Sequence, residues 1–233
     1  MRFPSPLVEA RLIRRYKRFL ADVQFPNGET ATVHCANPGA MTGLADPGMR
    51  VFLSKSESKT RKLAWSWELL EIGDVLVGIN TAHPNKLVAE AIANDAIPEI
   101  AGYDQVRREV RYGKNSRIDI LLSADTRPDA YVEIKNVHLM RREGLAEFPD
   151  SVTARGAKHL EELSGMVAEG HRAVMLYLIQ RSDAKQFRLA GDIDPRYAAA
   201  FERARNAGVE MIAYDCRLSL DEIVVNNPVP LLG

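Results

Sequence analysis

A chain of 233 residues with 46% hydrophobic and 27% charged residues suits one large domain or two small ones, and excludes a disordered polypeptide. Its 31 Lys/Arg balance 31 Asp/Glu, which argues against a broadly cationic nucleic-acid binder while leaving room for a local basic patch. The longest strongly apolar run, Ala173 to Ile179, is too short to cross a bilayer.

The first residues lack the apolar core of a signal peptide, so no membrane association is expected. Cys35 and Cys216 are single and far apart, as free thiols in a reducing cytoplasm would be; they do not have zinc-site spacing.

Residues 1–82 read as all-β and hold eleven Lys/Arg against eight Asp/Glu. Leu7 to Ile13 alternates, Phe19 to Phe25 is a strand, and Asn27-Gly28 centres a hairpin turn before Thr30 to Cys35. Met49 to Ser54, Leu63 to Glu71 and Val75 to Asn80 complete five or six short strands. That number in eighty residues suggests a small barrel, with an OB-fold ahead of an SH3-like one. Arg11, Arg14, Arg15, Lys17 and Arg18 crowd together beside Tyr16 and Phe19, and Lys55, Lys59, Arg61 and Lys62 precede Trp65 and Trp67. Cations beside exposed aromatics suit single-stranded or non-specific DNA, through phosphate attraction and base stacking. The same residues also fit solvated loops and tryptophans turned into the core.

A second domain is expected over 83–233. A helix capped by Asn80 or Thr81 carries the stripe Leu87, Val88, Ala91 and Ile92, with Glu90 at its edge and Pro98 beyond its end. Val106 to Tyr112 is a charged strand. From Asn115 to Val137 the period is two, interrupted by turn formers between Ser123 and Ala130, which predicts a β-hairpin. Symmetric closure sets Asp119 opposite Glu133, with Lys135 one step along the same face. Two carboxylates so placed call for a hard cation such as Mg²⁺ or Mn²⁺, and the lysine can orient a metal-bound water or stabilise phosphoryl charge. Asp, then Glu-x-Lys, resembles the core of the PD-(D/E)XK nuclease signature; an exposed hairpin with a cross-strand ion pair would read the same.

Residues 136–150 read as a loop holding Arg141 and Arg142. A helix capped by Asp150 or Ser151 then runs to Gly170, with Arg155, Lys158, His159 and Glu162 on one polar face. Ala173 to Ile179 is a strand buried on both faces, Asp194-Pro195 opens a helix, and Val209 to Tyr214 is a further strand. The whole is a two-domain α/β (α+β) chain: a small N-terminal β-barrel and a C-terminal mixed-sheet, restriction-endonuclease-like domain.

Three segments carry a more specific likeness: His34 to Met41, Ser116 to Asp119 with Glu133-Ile134-Lys135, and Phe148 to Leu160. Through them the chain resembles the bacterial sugar fermentation stimulation protein family over essentially its whole length. That resemblance implies a DNA-binding protein linked to sugar, especially maltose, metabolism, with an OB-like front and a PD-(D/E)XK-like back. It assigns the nuclease motif to Asp119, Glu133 and Lys135, with Glu90, Lys158 and Glu162 as weaker supports. Asp119, Glu133, the Ile134 carbonyl and Glu90 would hold the metal, and Arg14, Arg15, Lys17, Arg18, Arg141, Arg142, Arg155 and Lys158 would hold DNA. Ile118 replaces the motif's Pro, and Pro38 stands where the family's Asn-Thr-Gly has Thr. Three functions remain open: a metal-dependent nuclease, a DNA-binding regulator without turnover, and a protein or sugar-phosphate binding module.

Overall fold

The computed structural model describes residues 1–58, 60–113 and 116–232. Lys59 of the second basic cluster and Asn115 at the start of the expected hairpin lie outside the described residues.

Six strands make the first sheet: β1 (Val8–Tyr16), β2 (Leu20–Gln24), β3 (Thr30–Cys35), β4 (Arg50–Lys55), β5 (Trp65–Ile72) and β6 (Val75–Gly78). Their order is β3-β2-β1-β4-β5-β6, and β3 also pairs in parallel with β5, which closes a five-stranded barrel. Leu12, Val23, Val33, Val51, Leu53 and Trp67 fill it. β1 runs on to Tyr16 because Arg15 and Tyr16 pair with Ala21 and Leu20 of β2; Arg14 and Arg15 are therefore strand residues. Lys17 and Arg18 make the turn, both at positive φ. Trp67 is fully buried and donates its indole N–H to the Leu69 carbonyl at 2.9 Å, while half-buried Trp65 packs on Phe25.

The chain continues through α1 (Pro84–Ala93), β7 (Gln105–Tyr112), β8 (Ser116–Ala124), β9 (Arg127–Val137), β10 (Leu139–Arg142), β11 (Leu145–Phe148), α2 (Ala154–Ala168), β12 (Arg172–Ile179), β13 (Gln186–Leu189), α3 (Pro195–Asn206), β14 (Glu210–Leu218) and β15 (Ile223–Pro228). The main sheet has the order β15-β14-β12-β9-β8-β7, with β9, β12 and β14 parallel. Apolar residues of α1 pack with Val132, Ile134 and Leu176 on one face. Those of α2 and α3 pack with Met175 and Tyr177 on the other. A strand sandwiched this way must be apolar throughout, as β12 is.

Several local expectations are corrected. Residues 139–148 form a β10–β11 hairpin, not a loop, because β13 pairs with β11 in a separate three-stranded sheet. The cap of α2 is Thr153, whose side chain accepts the Gly156 N–H at 3.1 Å. Asp150 is turned instead toward the barrel, where its Oδ2 accepts the Met41 N–H at 3.2 Å. Neither Asn80 nor Thr81 caps α1: Asn80 donates to buried Glu68 at 2.7 Å and Thr81 to the Ala36 carbonyl at 2.8 Å.

The two halves meet closely. Gly78 N donates to the Gln180 carbonyl at 2.9 Å, and a Cβ at position 78 would lie 2.6 Å from Gln180 Oε1. A Cβ at Gly39 would lie 2.2 Å from Asp150 Oδ2, a spacing no side chain could share.

Candidate active site

The β8–β9 hairpin turns more tightly than its sequence suggests. β8 ends at Ala124 and β9 begins at Arg127, so Pro128 and Asp129 are strand residues. The register pairs Ile120 with Val132; one step further sets Asp119 across from Glu133. There the ladder gives way to side-chain bonding. Asp119 Oδ2 accepts the Ile134 N–H at 2.8 Å, and Oδ1 accepts from Asn85 Nδ2 at 2.8 Å. Ile118 packs in the cluster under α2, whereas Ile120 and Leu122 pack in the cluster under α1. The three do not share one face: alternation slips at Asp119 and lets its carboxylate reach the gap between the strands. On β7, neighbouring Glu109 adopts φ +54°, and Asn85 Nδ2 also bonds its carboxylate at 3.2 Å.

Glu133 is 2% exposed. Its Oε1 accepts from Lys135 Nζ at 2.6 Å and from His159 Nδ1 on α2. Arg155 Nε, one helical turn earlier, donates to His159 Nε2 at 3.2 Å, which leaves the imidazole proton on the nitrogen facing Glu133. Glu133 Oε2 is buried with no hydrogen-bond partner among the described residues.

The two acids respond in opposite directions. Burial and the charge of Glu133 push the Asp119 carboxyl up, against the Ile134 N–H and Asn85. Burial would also raise Glu133, but its hydrogen bond from His159 and the Lys135 charge bring it below the usual carboxylate range. Nearby, both oxygens of Glu162 are buried and have no hydrogen-bond partner among the described residues, the Lys158 ammonium standing 3.5 Å from one of them. The Tyr112 hydroxyl is buried and also lacks a partner among the described residues, its titration pushed well up by burial and the charges of Glu133, Glu162 and Asp119. Four acidic or phenolic groups therefore crowd one region, with more lone pairs than protein donors.

Glu90 does not join this group. It binds the N-terminal ammonium at 2.8 Å and stands 3.8 Å from Lys86. Five residues after Asn85, it is roughly 140° further round the helix. Asn85 is the α1 residue that reaches Asp119.

The expected DNA contacts divide. Arg14 is ion-paired to Asp22 at 2.8 Å, and Arg15 donates to the carbonyls of Arg18, Asn37 and Gly39. Arg141 is saturated by Glu147 at 2.8 Å and Asp192 at 2.9 Å, so it braces the small sheet. Lys17, Arg18, Arg142, Arg155 and Lys158 are exposed. Sequence reasoning missed Asn85 and Tyr112, which carry no local signal. It placed His159 on the right helix face but not against Glu133.

A closed five-stranded barrel joined to a mixed-sheet domain with acids at a parted hairpin defines a two-domain α/β protein with an OB domain. The model for the sugar fermentation stimulation protein RE domain matches residues 82–222, and that for the SfsA N-terminal OB domain matches residues 13–79. The chain belongs to the sugar fermentation stimulation protein family. A homolog from Azorhizobium caulinodans is 59% identical over 237 residues and one from Rhodospirillum centenum 58% over 231, covering at least 99% of both chains in each case. The solved structure of Pyrococcus furiosus SfsA in complex with Ca²⁺ matches with a TM-score of 0.89 and 25% identity, over 100% of this chain and 98% of that one.

Proposed function

We propose that this is a DNA-binding protein whose second domain carries a Mg²⁺- or Mn²⁺-dependent phosphodiesterase site. The observation that carries the reading is the buried Glu133 Oε2, without a partner among the described residues, beside an Asp119 whose carboxyl is held up by burial and by the charge of Glu133. Both are relieved by a divalent cation. The Ca²⁺ complex of the Pyrococcus furiosus relative adds support. Among the described residues no group of three or more His, Cys, Asp or Glu side chains is already gathered for a metal. An ion would draw on Asp119, Glu133 and the Ile134 carbonyl, with water completing its shell. When bound, it would supply an acidified water and charge neutralisation at the phosphate.

The chain's own residues do the rest. Lys135 stands where it can orient the attacking water or meet charge on a phosphoryl oxygen. His159 and Arg155 fix the Glu133 rotamer. Lys17, Arg18, Arg142, Arg155 and Lys158 supply phosphate attraction. Purified protein incubated with plasmid and oligonucleotides in Mg²⁺ or Mn²⁺ should leave 5′-phosphate ends, and Asp119→Ala should lose activity by about 10³-fold. No cleavage by wild type, or equal cleavage by the variant, would remove the catalytic half.

One observation favours a second reading, a regulator of sugar metabolism that binds DNA without cutting it. Lys135 and His159 both direct their donors at the same oxygen of Glu133, as in a closed structural network. On that reading Glu133→Ala leaves DNA affinity unchanged or raises it.

A further inference from the structure

β7 is the outer strand of the main sheet, and its residues Gln105 to Glu109 are all exposed. Arg111 on β7 pairs directly with Arg117 on β8. Both are exposed, and among the described residues neither forms an ion pair with a carboxylate. Like charges directly opposite across a strand pair are destabilising. The other arginine pair across two strands is neutralised: Arg11 of β1 faces Arg50 of β4, and Arg50 is held by Glu9 and Glu71.

Protection of a sheet edge explains only half of the Arg111 and Arg117 pair. Charge on the outer strand discourages edge-to-edge association, but Arg117 lies on the inner neighbour, where a second cation adds cost and no further protection. Glu109, on the same strand as Arg111, is not an ion-pair partner of either arginine among the described residues. Glu109, two residues from Arg111, is bonded to Asn85. Arg117 is two residues before Asp119 on the same strand, roughly 7 Å along the chain.

We infer that Arg111 and Arg117 form a phosphate clamp, gripping one backbone phosphate of a DNA strand beside the phosphate presented to Asp119 and Glu133. The inference rests on the DNA-binding reading above and assigns that partner its position on the hairpin. Two guanidinium forks facing one another match a tetrahedral oxyanion well, since each can donate two parallel N–H bonds. The phosphate also removes the repulsion that the free protein carries.

The test compares wild type, Arg111→Gln/Arg117→Gln and Arg203→Gln, an exposed cation on α3, by fluorescence anisotropy with labelled single-stranded DNA in Ca²⁺. The double variant should bind several-fold more weakly at physiological salt, and its salt slope should be shallower by about 0.7, the value for the one phosphate released. Its Tm should hold or rise, because a like-charge pair has gone. Arg203→Gln should change neither slope nor affinity. An unchanged slope in the double variant, an equal loss in Arg203→Gln, or a fall in Tm would overturn the clamp alone. Failure of the wild type to bind the oligonucleotide would overturn the clamp and the DNA-binding reading together.

Discussion

Glu147 and Glu133 are both buried strand glutamates, 1% and 2% exposed, and their surroundings differ in a single respect. Glu147 has both oxygens engaged, by Arg141 and Arg188 on Oε1 and by Arg141 on Oε2. Glu133 has Lys135 and His159 on one oxygen and, among the described residues, nothing on the other. A third buried glutamate, Glu68 in the barrel, follows the first pattern, with Ser54, Asn80 and His83 shared between its oxygens. Full satisfaction is what a structural buried charge needs. The open lone pair of Glu133 therefore separates a brace from a candidate ligand.

The largest effect expected on stability is at the brace. Glu147→Ala should lower unfolding free energy in denaturant by about 2–3 kcal/mol, since it strips two arginines of their partner while leaving them some access to water. A loss under about 0.5 kcal/mol would mean that the two glutamates do not differ as described.

Asp150 at the junction should come next. Burial works to raise it, but the His138 imidazole 3.4 Å away, with Met41 N and Ser151, holds it down at about 2. An acid lowered in the folded state contributes stability above its unfolded pKa, near 3.9, and loses it as pH falls through the folded value. About 2 kcal/mol should therefore drain away between pH 4 and 2, and a pH series of denaturant melts on Asp150→Asn should lack that portion.

Glu133→Gln should cost least, under about 1 kcal/mol in the metal-free protein, because only one of its oxygens is engaged. On the metal-site reading, Ca²⁺ should raise the Tm of wild type and leave that of this variant unchanged. That rise should grow with pH as Asp119, titrating above its ordinary value, sheds its proton. A Ca²⁺ response that survives Glu133→Gln would erase the contrast with Glu147.

What the sequence discloses follows from the range of the forces involved. Period-two alternation is local, so the β8–β9 hairpin and the placing of Glu133 and Lys135 on one face could be read from neighbours alone. β11 has only four residues and becomes a strand because β13, some forty residues later, supplies its partner. Pro128 and Asp129 look like turn residues and yet extend β9, where a two-residue turn at Asp125-Thr126 suffices. Asn85 reaches Asp119 through the docking of α1, which depends on Leu87, Val88, Ala91 and Ile92 finding the sheet. No spacing within the helix announces that meeting. Glu90 carried a charge in the right segment but on the wrong side of the helix, an error of phase that one-dimensional reasoning invites.

Positions 39 and 78 act as spacers whose setting is a bare hydrogen. Each presents an α-carbon of the barrel half to a polar side chain of the other half, Asp150 and Gln180, at a range that forbids even a methyl group. An alanine at either place would force the Asp150 carboxylate or the Gln180 amide to give way. The seating of barrel against sheet thus draws on two of the smallest side chains in the protein, far in sequence from the acids at the parted hairpin.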